Sequence, residues 1–259
     1  MTARVAVAQA AFGTDVAANV ANAVRLRAAA DAAGADLLVL SELFLPGYRL
    51  GGMDGDRIVT LDDPRLAPLA ERTSRTEVLV GAAVSTPAGL VNGILRFRSG
   101  HPAELAYAKM HLWEGERVGF VAGDALALVE IAGLRVGLGV CYDAGFPEFS
   151  RAYARAGVDL IAFSSAFLEG EEGRRYEIYH AARALESGCY VVVSDAAGAD
   201  GDSVFYGGSR VFDPAGRLLA DLGADGELAI VDVSPETVAA ARSELPYLAH
   251  LHPTYHADR

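Results

Sequence analysis

Cys141 ends the apolar run RVGLGVC and stands just before a turn and a helix opening at Pro147–Glu148. Such a strand-to-helix turn offers free backbone N–H groups and a helix N-terminus, both able to stabilise anionic sulfur or an oxyanion. A nucleophilic thiol also needs a base. The available histidines are His101, His111, His180, His250, His252 and His256, and only His111 lies near the end of a core strand. Glu42 is better placed, directly behind the apolar residues of LVLSELFLPGY. In water it is an ordinary loop carboxylate; buried beside a cation it becomes a tuned base.

Lys109 ends the strand-like run ELAYAK and is the only lysine among 22 Lys and Arg residues. A chain that otherwise writes positive charge as arginine has less reason to use lysine for solvation. A compact ammonium can sit beside a developing oxyanion as a point charge, where the planar guanidinium is bulkier and spreads its charge. Glu42, Lys109 and Cys141 thus form a candidate base, electrostatic stabiliser and nucleophile. Cys189, inside an apolar strand, reads as inert packing.

Three strand ends must meet for this chemistry. The pattern from RVAVAQA (4–10) runs through an Ala-rich amphipathic helix (16–32), AGADLLVLSE (33–42), a helix near 64–74 and EVLVGAAV (77–84) to a hairpin through TPAG. It recurs from RVGLGVC (135–141) through a helix (147–156), AGVDLIAFSS (156–165), a longer helix (173–187) and CYVVVSDAAG (189–198) to a strand pair through DPAG (213–216). Apolar strands joined by amphipathic helices imply covered, partly parallel sheets. The echo predicts an α/β fold of two similar βαβαβ halves packed as a four-layer αββα sandwich. A single doubly wound sheet is the alternative, disfavoured by the β-rich stretch at 90–131. The 259 residues are expected to form one domain, with an aperiodic tail at 246–259 running along the surface or onto a partner.

Composition narrows the function classes. A net charge of −12 without a basic stripe argues against nucleic acid. No segment approaches the roughly 18 apolar residues of a membrane span. Arg4 begins a strand without a preceding apolar leader, and two distant cysteines lie outside any CxxC pair, so a cytoplasmic protein with free thiols is expected. The dinucleotide fingerprint, P-loop and GxSxG elbow are missing. His250, His252 and His256 have ligand chemistry, but an aperiodic tail is a poor metal cradle and no metal is expected.

Five blocks in order resemble the nitrilase superfamily of carbon–nitrogen hydrolases over nearly the whole chain. They are LSELFLPGY around Glu42, YAKMHLWEGE around Lys109, GVCYDAGFPE around Cys141, RALESGCYVV from 183 and YGGSRVFDPAGRLL from 206. The resemblance implies an αββα sandwich, a homodimer or larger homo-oligomer, and a cofactor-free Glu–Lys–Cys triad of Glu42, Lys109 and Cys141. It also implies a second glutamate, Glu116, and substrate contacts from Tyr48, Tyr142, Ala166 and Phe167. Cys141-Tyr142-Asp143 is similar to amidases and carbamoylases rather than nitrilases. Hydrolysis of a small linear amide through a Cys141 thioester is therefore expected. N-carbamoyl amine hydrolysis is the alternative, nitrile hydrolysis a weaker one, and a catalytically silent binding scaffold the rival from another class. A Cys–His thiol enzyme using His111 is a further reading. SDAAG after Cys189 and Ser187 in RALES depart from the family's usual Asn residues and bear on substrate identity. Glu169, Glu171 and Glu172 in FLEGEEGRR are candidates for recognising a cationic substrate, or simply a solvated acidic loop at a helix start.

Overall fold

The structure, a computed structural model, describes residues 2–48, 53–71, 74–200, 203–252 and 254. Asp15 opens the first helix: its carboxylate accepts from Ala17 N at 2.8 Å and Ala18 N at 3.1 Å, satisfying donors that lack intrahelical partners. The alanine-rich α1 then runs Val16–Ala32, a composition of high helix propensity. It buries Val16, Val20, Ala23, Leu26 and Ala30, which recur at helical spacing.

Helix α1 connects parallel strands β1 (Ala3–Ala8) and β2 (Leu37–Val39). A 3₁₀ turn at Pro64–Leu66 and the four-residue α2 (Ala67–Ala70) lead to β3 (Glu77–Thr86), parallel to β2. The longer helix expected over 64–74 is thus reduced, and residues 72–73 of that range lie outside the described residues. Strands β4 (Gly89–Phe97) and β5 (Glu104–Ala108) fold back antiparallel.

The second half repeats the plan. β6 (Leu128–Ile131) pairs with β7 (Leu134–Val140). Then follow α3 (Pro147–Arg155), β8 (Leu160–Ser165), α4 (Glu171–Ser187) and β9 (Tyr190–Asp195), with β7, β8 and β9 parallel. Proline at the first position of α3 and left-handed Gly188 after α4 are ordinary start and stop signals. After the short ladder β10 (Ala199–Asp200) and β11 (Ser203–Val204), β12 (Arg210–Phe212) and β13 (Leu218–Asp221) add antiparallel strands. β14 (Leu228–Val233) returns to β1, and α5 (Pro235–Glu244) follows.

The sheet orders are β14-β1-β2-β3-β4-β5 and β6-β7-β8-β9-β12-β13. Each holds three central parallel strands between antiparallel ones, so the expected four-layer αββα sandwich of duplicated halves is the observed fold. Strand alternation sorts the layers. Val5, Val7, Leu37 and Val39 join Val136 and Leu138 in the core between the sheets, while Ala6, Ala8, Leu38 and Leu40 pack with α1. Two hydroxyls tie the sheets where their parallel strands end: Ser164 Oγ donates to Leu40 O at 2.7 Å and Ser194 Oγ to Ala8 O at 2.6 Å. A satisfied buried hydrogen bond contributes about 1 kcal/mol net. The first brings the carboxyl ends of β2 and β8 together and the second those of β1 and β9, where sites form in such sheets. Among the described residues no helix is long and apolar enough to cross a membrane.

Candidate active site

Glu42 follows β2 where the chain leaves the ladder. Leu43 takes a left-handed φ of 46°, uncommon for a non-glycine residue. The turn is held against both sheets: Glu42 N donates to Ser165 O at 3.3 Å and Gly81 N to Ser41 O at 3.1 Å. Gly81 is required by this approach. A Cβ there would lie 2.3 Å from Ser41 O and 2.4 Å from Leu43 N.

Lys109 directly follows β5, and its N–H donates to Asn92 O at 2.9 Å. Its Nζ lies 2.7 Å from Glu42 Oε1 and 2.7 Å from Glu116 Oε2. Glu116 sits in the 3₁₀ turn Glu114–Val118, where its carboxylate also accepts from Trp113 N at 2.6 Å. Glu42 and Glu116 are 0 % exposed and Lys109 is 1 % exposed. Buried charges of this kind are tolerable only when paired and hydrogen-bonded.

Asn92 of β4 completes the cluster and was not singled out from the sequence. Its Nδ2 donates to Glu42 Oε1 at 2.7 Å and to Glu116 Oε1 at 2.6 Å. One signal did exist: an asparagine among the apolar residues of GLVNGILRF, in a residue class depleted from strands.

Two carboxylates share one ammonium. Burial pushes the Glu42 carboxyl up to about 7; Lys109 opposes this and Glu116 adds to it. Burial also works against the Lys109 charge, but Glu42, Cys141 and Glu116 more than offset it and raise its pKa. Lys109 therefore stays an ammonium while Glu42 titrates near neutrality. Among the described residues Glu42 Oε2 has no hydrogen-bond partner, leaving one oxygen free to take a proton.

Strand β7 ends at Val140, and Cys141 opens a 3₁₀ turn, Cys141–Gly145, with φ 43°. Strained backbone of this kind persists where surroundings over-determine it. Buried Asp143 does so here, accepting from Val140 N at 2.9 Å, Tyr107 OH at 2.8 Å and His111 N at 3.0 Å. From α4, Arg183 Nε donates to Ala144 O at 2.8 Å. The N–H groups opening such a turn have no acceptor within it, and that of Tyr142 is among them. Burial and then Glu42 push the Cys141 thiol well up, while Lys109 and the Ala166 N–H act the other way. The resting sulfur is a thiol that needs its proton removed for attack.

His111 is engaged by other groups. Its Nδ1 lies 2.7 Å from Asp143 Oδ1 and its ring stacks on Phe146 at 3.9 Å. The groups whose charges bear on Cys141 are Glu42, Lys109 and Asp195. Cys189 is fully buried, and burial pushes its thiol up to about 12. Of the tail histidines, His250 and His252 are described and exposed, while His256 lies outside the described residues.

A pocket of about 360 Å³, counting the part open to solvent, lies over Cys141. Tyr48, Tyr142, Ala166 and Phe167, the expected substrate contacts, all line it. Asp195 fixes that wall: its Oδ1 accepts from Phe167 N at 2.9 Å. The residues of the acidic loop divide. Glu169 and Glu171 are exposed and do not line the pocket, whereas Glu172 does.

This arrangement can deprotonate a thiol, deliver it to an electrophilic carbon and hold negative charge beside an ammonium. The family model described as Carbon-nitrogen hydrolase matches residues 4–243, and the chain belongs to that family. It is 33 % identical over 239 residues to an (R)-stereoselective amidase of Pseudomonas sp, covering 86 % of this chain and 82 % of that one. It is 34 % identical over 222 residues to a deaminated glutathione amidase of Escherichia coli O157:H7, covering 83 % and 77 %. An amidase structure from Nesterenkonia sp. superposes with a TM-score of 0.80 at 28 % identity, covering 95 % of this chain and 96 % of that one.

Proposed function

We propose that this carbon–nitrogen hydrolase cleaves small linear amides to a carboxylic acid and ammonia through a thioester on Cys141. The observation that carries the reading is the buried Glu42–Lys109–Glu116 cluster beside that thiol, with Glu42 Oε2 free of hydrogen-bond partners among the described residues. Glu42 takes the thiol proton and Sγ attacks the amide carbon. The carbonyl oxygen, now anionic, lies against Lys109 Nζ and the N–H of Tyr142. Glu42 returns the proton to nitrogen, the C–N bond breaks and ammonia leaves. A water deprotonated by Glu42 then attacks the thioester, and the C–S bond breaks to release the acid and restore the thiol. Glu116 and Asn92 hold Lys109 and Glu42 in register.

The relatives support the amide class. A cysteine-to-alanine mutant of the Nesterenkonia sp. AN1 amidase is in complex with butyramide. A silent scaffold is disfavoured on energetic grounds: ionised groups enclosed together are costly, and apolar residues of equal volume often serve stability as well or better. Ammonia release from butyramide and propionamide tests the proposal. Turnover by the wild type and none by Cys141→Ala of unchanged melting temperature is expected; equal rates from both would overturn it.

A further inference from the structure

The outer part of the pocket contains a feature the reaction does not use. Arg175, on the second turn of α4, lines the pocket together with Trp113 and Glu172. Its guanidinium lies over the Trp113 ring, 5.6 Å from the centroid. A guanidinium held over a ring by cation–π attraction keeps N–H donors that the ring does not satisfy. The contact of Arg175 Nη2 with Glu172 Oε1 is 3.5 Å, an ion pair too long to be a good hydrogen bond. Glu172 is more firmly engaged elsewhere, since its Oε2 accepts from Leu168 N at 2.9 Å. The other loop carboxylates, Glu169 and Glu171, do not line the pocket. Much of the remaining wall is aromatic, with Tyr48, Tyr142 and Tyr179. A substrate entering over Cys141 therefore meets one oriented guanidinium and one carboxylate whose acceptor capacity is already partly taken.

We infer that Arg175 is a specificity residue for amides carrying a terminal carboxylate, such as ω-amic acids, with the carboxylate at Arg175 and the carboxamide at Cys141. This rests on the amide-hydrolase reading above and names its substrate class. The planar fork matches a carboxylate in two-point geometry. Remote binding of this kind holds the reacting carbon over the nucleophile. The arrangement also reverses the cationic preference that the acidic loop suggested.

Trp113 is the only tryptophan in the chain, so its fluorescence reports the pocket directly. The test uses Cys141→Ala protein, which binds without turnover, titrated with glutaramate, valeramide and the ω-amino amide of the same length. Glutaramate is expected to bind about tenfold or more tighter than valeramide, the scale of one partly exposed charge-assisted contact. Arg175→Gln in the same background should erase that preference, and Arg175→Lys should keep part of it. Equal affinities, tightest binding of the amino amide, or a preference surviving in Arg175→Gln would overturn the inference. Ammonia release by the wild type from valeramide is measured alongside. Turnover with no anionic preference removes the role of Arg175 and leaves the hydrolase. No turnover of any amide removes the hydrolase, while the affinities still decide the anion site.

Discussion

Lys109 Nζ lies 2.7 Å from one oxygen of Glu42, and among the described residues the other Glu42 oxygen has no donor at all. One carboxylate is thus held by a cation on one side and open on the other. That asymmetry lets a single group anchor the ammonium and still carry protons.

Lysine rather than arginine should matter at position 109. The side chain is 1 % exposed between two glutamates, so a guanidinium would overfill the site and move its charge. Lys109→Arg is expected to lower kcat on butyramide on the order of a hundred- to a thousandfold, the scale of losing one oxyanion donor. A wild-type kcat in that variant contradicts the oxyanion assignment.

The pH dependence follows from Glu42. Its carboxyl is raised to about 7, chiefly by burial, and the free enzyme needs it ionised. kcat/KM should therefore climb through an acid limb near pH 7 and flatten above it. Stability should move the opposite way. The folded state holds this proton more tightly than the unfolded chain, whose reference value is 4.5, so stability present below that value declines as pH rises towards 7. Glu42→Gln, inactive, should gain melting temperature relative to wild type at pH 8 and gain less at pH 5. An acid limb near pH 4.5 would show that Glu42 is not perturbed.

Asn92 should act through the two glutamates. Its hydrogen bond to Glu42 lowers that carboxyl's pKa, so Asn92→Ala should shift the acid limb upward. It should also cut kcat about tenfold or more, because a buried carboxylate loses a donor. An unchanged pH profile with lower stability alone would make Asn92 merely structural.

Gly81 tests the route by which β2 delivers Glu42. A methyl group at Gly81 would lie 2.3 Å from Ser41 O, and overpacking of this type costs about 1–3 kcal/mol. Gly81→Ala should lose both melting temperature and activity. Gly13→Ala, with nothing within 4 Å of the added carbon, should lose neither. Differential scanning fluorimetry beside ammonia release separates the two.

The duplicated halves were legible because their strands and helices carry clear periods: α1 lies at Val16–Ala32, the span its pattern marks. The helix expected at 64–74 was not so reliable, since Pro64 and Pro68 shape that stretch and α2 keeps only four residues. Glu42, Lys109, Glu116 and Cys141 were legible as strand-end chemistry and family blocks. Asn92 was not, because its partners are 50 and 24 residues away and only the paired strands reveal them. Arg175 was hidden for a different reason: on a polar helix a solvated arginine and one turned over Trp113 are written alike.

Hydrolysis through Cys141 requires a covalent acyl intermediate on its sulfur. Wild-type protein exposed to butyramide at saturating concentration, quenched in acid and read by intact and peptide mass spectrometry, tests it most directly. A fraction of the protein is expected to be heavier by one butyryl group, mapped to the peptide holding Cys141 and missing from Cys141→Ser. Steady ammonia release with no adduct on Cys141 under rapid quench, or an adduct on Cys189 instead, would contradict it.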